Sequence, residues 1–136
     1  MNRQIKILAV DREEIILKSI RKALKSDSEI DYDIITCTTA LEGLKLIRSD
    51  KFSLVLIDLV LPGMNTSEFL RRIKNIDPKI PVIIMSGFPP AGIRSDKDEN
   101  LQEEALNHAA GFLLKPFTTE EIKSSVLRVL VEFKMY

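Results

Sequence analysis

The chain has 136 residues, of which 45% are hydrophobic and 29% are charged, proportions typical of a single globular domain. Lys and Arg together number 20, as do Asp and Glu, so the chain lacks the net positive charge of a free-standing nucleic-acid-binding domain. A single cysteine, Cys37, and a single histidine, His108, exclude an internal disulfide, most zinc sites and Cys/His nucleophile pairs.

Short β-rich runs alternate with segments of helical periodicity, a pattern typical of parallel βαβ units. Strands are predicted over residues 5–10, 33–38, 54–57, 81–85 and 112–114. A helix is predicted after each strand, and the fourth helix follows a loop rich in proline and extends over residues 95–110. Three helices begin with a capping side chain followed three residues later by glutamate: Thr39 with Glu42, Asn65 with Glu68, and Thr118 with Glu121.

The last helix has the clearest start, because Phe117 before the cap is placed to pack against Ile122 after it. The core face of this helix is predicted from its apolar spacing to contain Ile122, Val126, Val129, Leu130 and Phe133.

The third predicted strand is continuously apolar, as expected for a central strand that helices cover on both faces. Five strands alternating with five helices, joined by right-handed crossovers, predict an α/β fold with a doubly wound five-stranded parallel sheet in three α/β/α layers. We expect one domain over residues 1–136, with no output domain. Ligands of such sheets bind at the carboxyl ends of the strands.

Polar residues stand just past four of the predicted strands: Asp11, Asp58, Ser86 and Lys115. Taken singly, Asp11 could cap the first helix, Ser86 could be a turn residue and Lys115 could be a solvated charge. Asp58 directly follows four apolar residues, so we expect its carboxylate to be partly desolvated. Because the ends of parallel strands meet at one edge of a sheet, the four side chains are expected to share one crevice.

Two carboxylates, a hydroxyl and an ammonium suit phosphoryl transfer. A carboxylate can attack phosphorus and form an aspartyl phosphate. A divalent cation held by one or two carboxylates would neutralise the developing charge, and the ammonium and hydroxyl could hold phosphoryl oxygens. The sequence contains no glycine-rich phosphate-binding loop, so the phosphoryl group is expected to come from a partner rather than a bound nucleotide.

Four segments, in order and with matching spacing, resemble the receiver domain of response regulators in two-component (phosphorelay) signalling: ILAVD, LVLIDLVLPGM, PVIIMSG and GFLLKPF. The resemblance covers nearly the whole chain and implies the strand order 2-1-3-4-5. It implies that Asp58 is the phosphoacceptor, that Ser86 is the switch hydroxyl, and that Lys115 pairs with the phosphoryl group.

The same resemblance implies a Mg²⁺ site formed by Asp11, Asp58 and the backbone carbonyl of Val60. It also implies a cis peptide bond between Lys115 and Pro116, a form that only bonds preceding proline adopt at low cost. Phe112 falls at the position of the family's switch aromatic, although a plain core residue of an edge strand is an equally good interpretation.

Receivers take their phosphoryl group from a sensor histidine kinase or a histidine phosphotransfer protein and signal to an effector, which the sequence does not name. The product of the self-catalysed phosphotransfer is a signal, so we expect a switch rather than an enzyme. A dimer through the face of the fourth helix, fifth strand and fifth helix is a further possibility. The chain lacks a signal peptide and any apolar run near the ~18 residues of a membrane span, so we expect a cytoplasmic protein without membrane contact.

The first departure from the family pattern is Arg12, which stands where a second acidic residue is usual. One interpretation is that Asp11, Asp58, the Val60 carbonyl and water still form a weakened Mg²⁺ site. Another is that the Arg12 guanidinium takes the place of the cation, favours the ionised Asp58 and leaves a pseudo-receiver that never carries phosphate. The third is that Arg12 extends into solvent.

Two further departures concern loops. Thr66 occupies a position that is usually glycine, and a β-branched residue there requires helical or extended backbone angles, so the loop before it is expected to run differently. Residues 88–97 lengthen the interval between Ser86 and Lys115, and they form either a tolerated surface insertion or a lid or specificity loop.

Two rival functions on a similar fold are less well supported. Phosphatases of the haloacid-dehalogenase type need a second carboxylate two residues after the nucleophile, and Val60 stands at that position. A flavodoxin-like flavin carrier would need a Ser/Thr-rich phosphate loop after the first strand, which this chain lacks.

Overall fold

A computed structural model of the chain describes residues 4–87 and 108–136. Five strands lie within these ranges, namely β1 (Gln4–Val10), β2 (Asp31–Cys37), β3 (Leu54–Asp58), β4 (Val82–Ser86) and β5 (Gly111–Leu114). The helices of the described residues are α1 (Glu14–Lys25), α2 (Ala40–Ser49), α3 (Thr66–Ile76) and α4 (Thr119–Glu132). The helix predicted over 95–110 and the insertion at 88–97 fall almost entirely outside the described residues.

The strands form one parallel sheet in the order β2-β1-β3-β4-β5, as the resemblance implied. β3 lies at its centre and all five of its residues are buried, which confirms the prediction from its continuous apolar run. In register, Val10 pairs with Ile57, Asp58 with Met85, and Ser86 with Leu114. These pairings bring the carboxyl ends of four strands to one edge of the sheet.

Two hydrophobic cores cover the two faces of the sheet, because alternate residues of a strand point to opposite sides. On β1, Ile5, Ile7 and Ala9 belong to the core shared with α1 and α4. Leu8 and Val10 belong to the core shared with α2 and α3. The predicted three-layer α/β/α arrangement is therefore confirmed for the described residues. None of their helices is both long enough and apolar enough to cross a membrane.

The predicted helix starts are confirmed at three positions. The side chains of Thr39, Asn65 and Thr118 each accept a hydrogen bond from the backbone N–H three residues later. At Thr118 the box is complete, because the Glu121 side chain also accepts from the Thr118 N–H at 3.3 Å. Phe117 packs against the core cluster that contains Ile122, as the predicted contact across the cap requires.

Some element boundaries and one core residue differ from the predictions. β2 begins and ends earlier than predicted, and Asp58 and Ser86 are the last residues of β3 and β4 rather than the residues after them. Phe133 was predicted to be buried but is 42% exposed. The reason is that α4 ends at Glu132 and Lys134 adopts a left-handed φ of 57°, so the helical spacing that would bury Phe133 no longer applies.

Candidate functional site

Asp58 ends the central strand and is only 4% exposed, which confirms the expected desolvation of its carboxylate. The backbone N–H of Val60 donates to Asp58 Oδ1 at 3.2 Å. The next residue, Leu59, is held by a hydrogen bond from its N–H to the Met85 carbonyl at 2.8 Å. The end of β3 is therefore anchored to β4 directly beside the carboxylate.

Asp11 follows β1 and is fully buried. Its N–H donates to the Cys37 carbonyl at 3.2 Å, which holds it against β2. Its Oδ1 accepts from the Glu13 N–H at 2.8 Å. The N-cap of α1 is Glu13, whose side chain makes no capping bond, so the interpretation of Asp11 as the N-cap is wrong by two residues.

Lys115 follows β5 and joins the two carboxylates. Its N–H donates to the Ser86 carbonyl at 2.7 Å, and the bond to Pro116 is cis as expected. Its Nζ lies 2.7 Å from Asp11 Oδ2 and 3.4 Å from Asp58 Oδ1. The Lys115 side chain is 13% exposed, so the interpretation of this residue as a solvated charge is wrong.

The site electrostatics favour the protonated form of Asp58 relative to a free carboxyl. Burial raises the pKa of Asp58, and the neighbouring Asp11 carboxylate raises it further. The Val60 N–H and the Lys115 ammonium act in the opposite direction, and the net direction is upward. Any cation that enters beside the two carboxylates would remove part of this cost.

Ser86 and Phe112 lie on the neighbouring strands β4 and β5, with Phe112 opposite Ile84. Ser86 is the last residue of β4, is 3% exposed and pairs in register with Leu114, directly before Lys115. Phe112 is half-buried on the edge strand β5 and packs against the core shared with α2 and α3. Both interpretations of Phe112 stay open, since an edge-strand core residue and a switch aromatic would occupy this place alike.

The residues present fit a magnesium ion. Among the residues that the structure describes, the buried Asp11 Oδ2 contacts the Lys115 ammonium at 2.7 Å, so a second lone pair of this oxygen is left for a cation. Asp58 supplies a second carboxylate, and the exposed Val60 lies in the loop beyond it. Ranges 4–87 and 108–136 contain no group of three His, Cys, Asp or Glu side chains suited to a metal. Mg²⁺ does not need one, since one or two carboxylates and several waters commonly hold it.

The side chain of Arg12 is exposed, as the interpretation that places it in solvent predicted. The groups that shift the pKa of Asp58 are its burial, Asp11, Val60 and Lys115, and Arg12 is not among them. Lys115 supplies the positive charge between the carboxylates instead.

One contact of the site was not predicted from the sequence. The Thr66 hydroxyl donates to the Leu59 carbonyl at 2.6 Å, although the two residues are seven positions apart. Thr66 is the first residue of α3 and is 8% exposed, so helical backbone angles accommodate its β-branched side chain, as expected. The sequence marked Thr66 as a departure from the family pattern, but nothing in the local pattern indicated which acceptor its hydroxyl would find.

Comparison with known proteins is in agreement with this geometry. The sequence profile of the response regulator receiver domain matches residues 7–127. The chain is 32% identical over 125 residues to sporulation initiation phosphotransferase F of Bacillus subtilis (strain 168), covering 92% of this chain and 93% of that protein. It is 31% identical over 118 residues to the cell cycle response regulator CtrA of Brucella ovis, covering 87% of this chain but only 47% of CtrA.

Solved structures give the same assignment. The signal receiver domain of an HD domain-containing protein from Pseudomonas fluorescens Pf-5 superposes with a TM-score of 0.81 at 26% identity, covering 99% of this chain and 93% of that one. A CheY-like receiver domain protein from Methanospirillum hungatei JF-1 superposes with a TM-score of 0.78 at 26% identity, covering 98% of each chain. The chain therefore belongs to the response regulator receiver domain family, the signalling switches of two-component phosphorelays.

Proposed function

We propose that the chain accepts a phosphoryl group on Asp58 from a phosphohistidine and that the resulting aspartyl phosphate changes its affinity for a partner. The observation that carries this proposal is the placement of the Lys115 ammonium between two buried carboxylates, 2.7 Å from Asp11 and 3.4 Å from Asp58. A lysine held there can move onto a phosphoryl oxygen without leaving the site. Receiver domains in general interact with histidine kinases or phosphotransfer proteins and with effectors.

In the proposed step an Asp58 oxygen attacks phosphorus, an O–P bond forms and the N–P bond to the donor histidine breaks. The electron pair of the broken bond stays on the imidazole nitrogen, which takes up a proton from solvent water and leaves as neutral histidine. Burial of Asp58 excludes competing water, and the Val60 N–H holds one carboxylate oxygen at 3.2 Å during the attack. The Lys115 ammonium would stabilise the charge on the transferred group.

Receiver domains typically bind Mg²⁺ at the phosphorylation site, and here Asp11, Asp58 and the Val60 carbonyl would hold it. The ion would supply charge neutralisation for the phosphoryl oxygens. With Arg12 in place of a second acid, we expect the affinity for Mg²⁺ to be weaker than in a site with three carboxylates.

We propose that phosphorylation shifts the population between two conformations of the sheet edge that carries Asp58 and Lys115. Ser86 would move toward the phosphoryl group, and Phe112 on the adjacent edge strand would change its packing. The exposed apolar side chain of Leu114 on β5 lies beside Glu121 and Ser125 of α4, which supports a partner or dimer contact on that face. The helix predicted beside it lies outside the described residues.

The alternative is a pseudo-receiver that acts by protein contact alone. The observation in its favour is Arg12, which removes one carboxylate from the usual metal-binding set. The exposed position of Arg12 supports phosphorylation instead, because the positive charge between Asp11 and Asp58 belongs to Lys115.

The test is the mass of the intact protein after incubation with acetyl phosphate, with and without Mg²⁺. The wild type is compared with Asp58→Ala, which removes the acceptor, and with Asp31→Ala, which removes an exposed aspartate at the opposite end of the sheet. We expect a phosphoryl adduct that requires both Mg²⁺ and Asp58 and that persists in Asp31→Ala. Absence of the adduct in the wild type, with its appearance in Arg12→Asp, would establish the pseudo-receiver.

A further inference from the structure

We propose that the Thr66 hydroxyl is a positioning group that fixes the Leu59–Val60 peptide and thereby aims the Val60 carbonyl at the metal site. This inference rests on the proposed function, since it assigns the Val60 carbonyl to the cation. Within the described residues, no hydrogen bond or ion pair joins Thr66 to the carboxylate of Asp11 or Asp58, so the role of Thr66 is indirect.

The first observation is the bond itself. The Thr66 hydroxyl is 2.6 Å from the Leu59 carbonyl oxygen, and Thr66 is 8% exposed, so water competes little for either group. The bond spans the whole connection between β3 and α3. Since Asn65 caps α3 through the Glu68 N–H at 2.9 Å, the Thr66 hydroxyl is not needed for capping and is available for the loop.

The second observation is that one peptide unit is held at both ends. The Leu59 carbonyl accepts from Thr66, and the N–H of the same peptide, that of Val60, donates to Asp58 Oδ1 at 3.2 Å. Two hydrogen bonds in opposite directions fix the plane of a peptide, and each polarises the unit so that the other strengthens. The orientation of this plane limits the directions in which the following carbonyl, that of Val60, can point.

The third observation is that Val60 itself lies on the surface, although the next residue, Leu61, is buried in the core shared with α2 and α3. Gly63 has a φ of 84°, and a side chain there would meet nothing within 4 Å, so the turn of the loop faces open space. Val60 is itself 48% exposed. Without the Thr66 bond, the Leu59 carbonyl would lose its partner, and only the Val60 N–H bond to Asp58 Oδ1 and the Leu59 N–H bond to Met85 would restrain the Leu59–Val60 peptide.

The experiment compares Thr66→Val, which removes the hydroxyl but keeps the shape, with Thr66→Ser, which keeps the hydroxyl. Ile73→Val is the matched control, because it weakens the packing of α3 within the buried core without touching the loop. Two quantities are measured by NMR on metal-free labelled protein: the hydrogen-exchange rate of the Val60 amide, and the dissociation constant for Mg²⁺ from the amide shifts that MgCl₂ produces.

We expect Thr66→Val to speed Val60 exchange and to weaken Mg²⁺ binding by about fivefold each, the equivalent of one hydrogen bond. Thr66→Ser should restore both, and Ile73→Val should change neither. Unchanged Val60 exchange in Thr66→Val would overturn the proposal. Faster exchange with unchanged Mg²⁺ affinity would overturn the assignment of the carbonyl to the metal. A wild type that binds no Mg²⁺ would contradict the proposed metal site itself, and the exchange rates would still show whether Thr66 fixes the peptide.

Discussion

Replacing Lys115 by methionine removes the ammonium from between Asp11 and Asp58 while keeping most of the side-chain volume. The two carboxylates then face each other in a site where Asp11 is fully buried and the Asp58 side chain is 6% exposed. We expect Lys115→Met to lower the free energy of unfolding in metal-free buffer by about 3 kcal/mol, a large fraction of the stability of a domain of this size.

The magnitude follows from the two distances. At an effective dielectric constant of about 20, the attraction of Lys115 to Asp11 at 2.7 Å is about 6 kcal/mol. On the same basis, its attraction to Asp58 at 3.4 Å is about 5 kcal/mol. Desolvation of the ammonium offsets several kcal/mol of this sum, and protonation of Asp58 can relieve part of the repulsion in the variant.

The loss should depend on pH. The pKa of Asp58 is raised above the ordinary value of an aspartate, so the native state binds this proton more tightly than the unfolded chain does. Stability therefore falls as pH rises from the ordinary carboxyl value through the raised one. Lys115 lowers the pKa of Asp58, so in Lys115→Met the pH range over which stability falls extends to higher pH. The loss of stability caused by the substitution is therefore larger at neutral pH than in acid.

The assay is urea unfolding followed by far-UV circular dichroism, with each variant measured at two pH values. Lys6→Met is the matched control, because Lys6 pairs with Asp50 in an exposed salt bridge that contributes little. Asp11→Asn is added to Lys115→Met to complete a double-mutant cycle, and it should recover at least about 1 kcal/mol of the loss. A loss below about 1 kcal/mol, the same in both Asp11 backgrounds, would refute the view that Lys115 compensates buried charge.

Three further outcomes are expected. Arg12→Asp should tighten Mg²⁺ binding measured by calorimetry by about tenfold, because it exchanges a cation for an anion beside the site; an unchanged dissociation constant would contradict this. Burial raises the pKa of the Cys37 thiol to about 11, so iodoacetamide should modify the native protein near neutral pH far more slowly than the urea-unfolded chain; equal rates in the two states would show that the thiol is accessible. Thr118→Ala should lower the free energy of unfolding by about 1 kcal/mol, because it removes the complete capping box of α4. The neighbouring Thr119→Ala should be nearly neutral, and equal effects of the two substitutions would argue against the cap.

Much of the fold was predictable because its signals are local. The apolar run of β3 predicted a strand buried on both faces, and the caps at Thr39, Asn65 and Thr118 are side-chain hydrogen bonds to residues three positions away. Phe133 was the exception among the core residues, since helical spacing carries no information about where the last turn ends.

The site was predictable in its position and less so in its contacts. Placing Asp11, Asp58, Ser86 and Lys115 at one edge needed only the rule that parallel strands end together. Which of their atoms meet was not predictable from the sequence, and Asp11, taken singly, was equally well read as a helix cap. The strand ends determine which residues lie near one another, whereas the atoms that touch depend on side-chain rotamers and on the paths of the loops.

The sequence by itself determined the family, the sheet edge that carries the candidate site, and the position at which Arg12 stands in place of the usual second acid. Only the tertiary structure decided that Arg12 is exposed, that Lys115 holds the charge between the carboxylates, and that the Thr66 hydroxyl reaches Leu59. The physical reason is the separation along the chain over which each kind of interaction acts. Propensity, periodicity and capping act over a few neighbouring residues, while burial, ion pairing and hydrogen bonds across a loop arise only after distant segments have packed together.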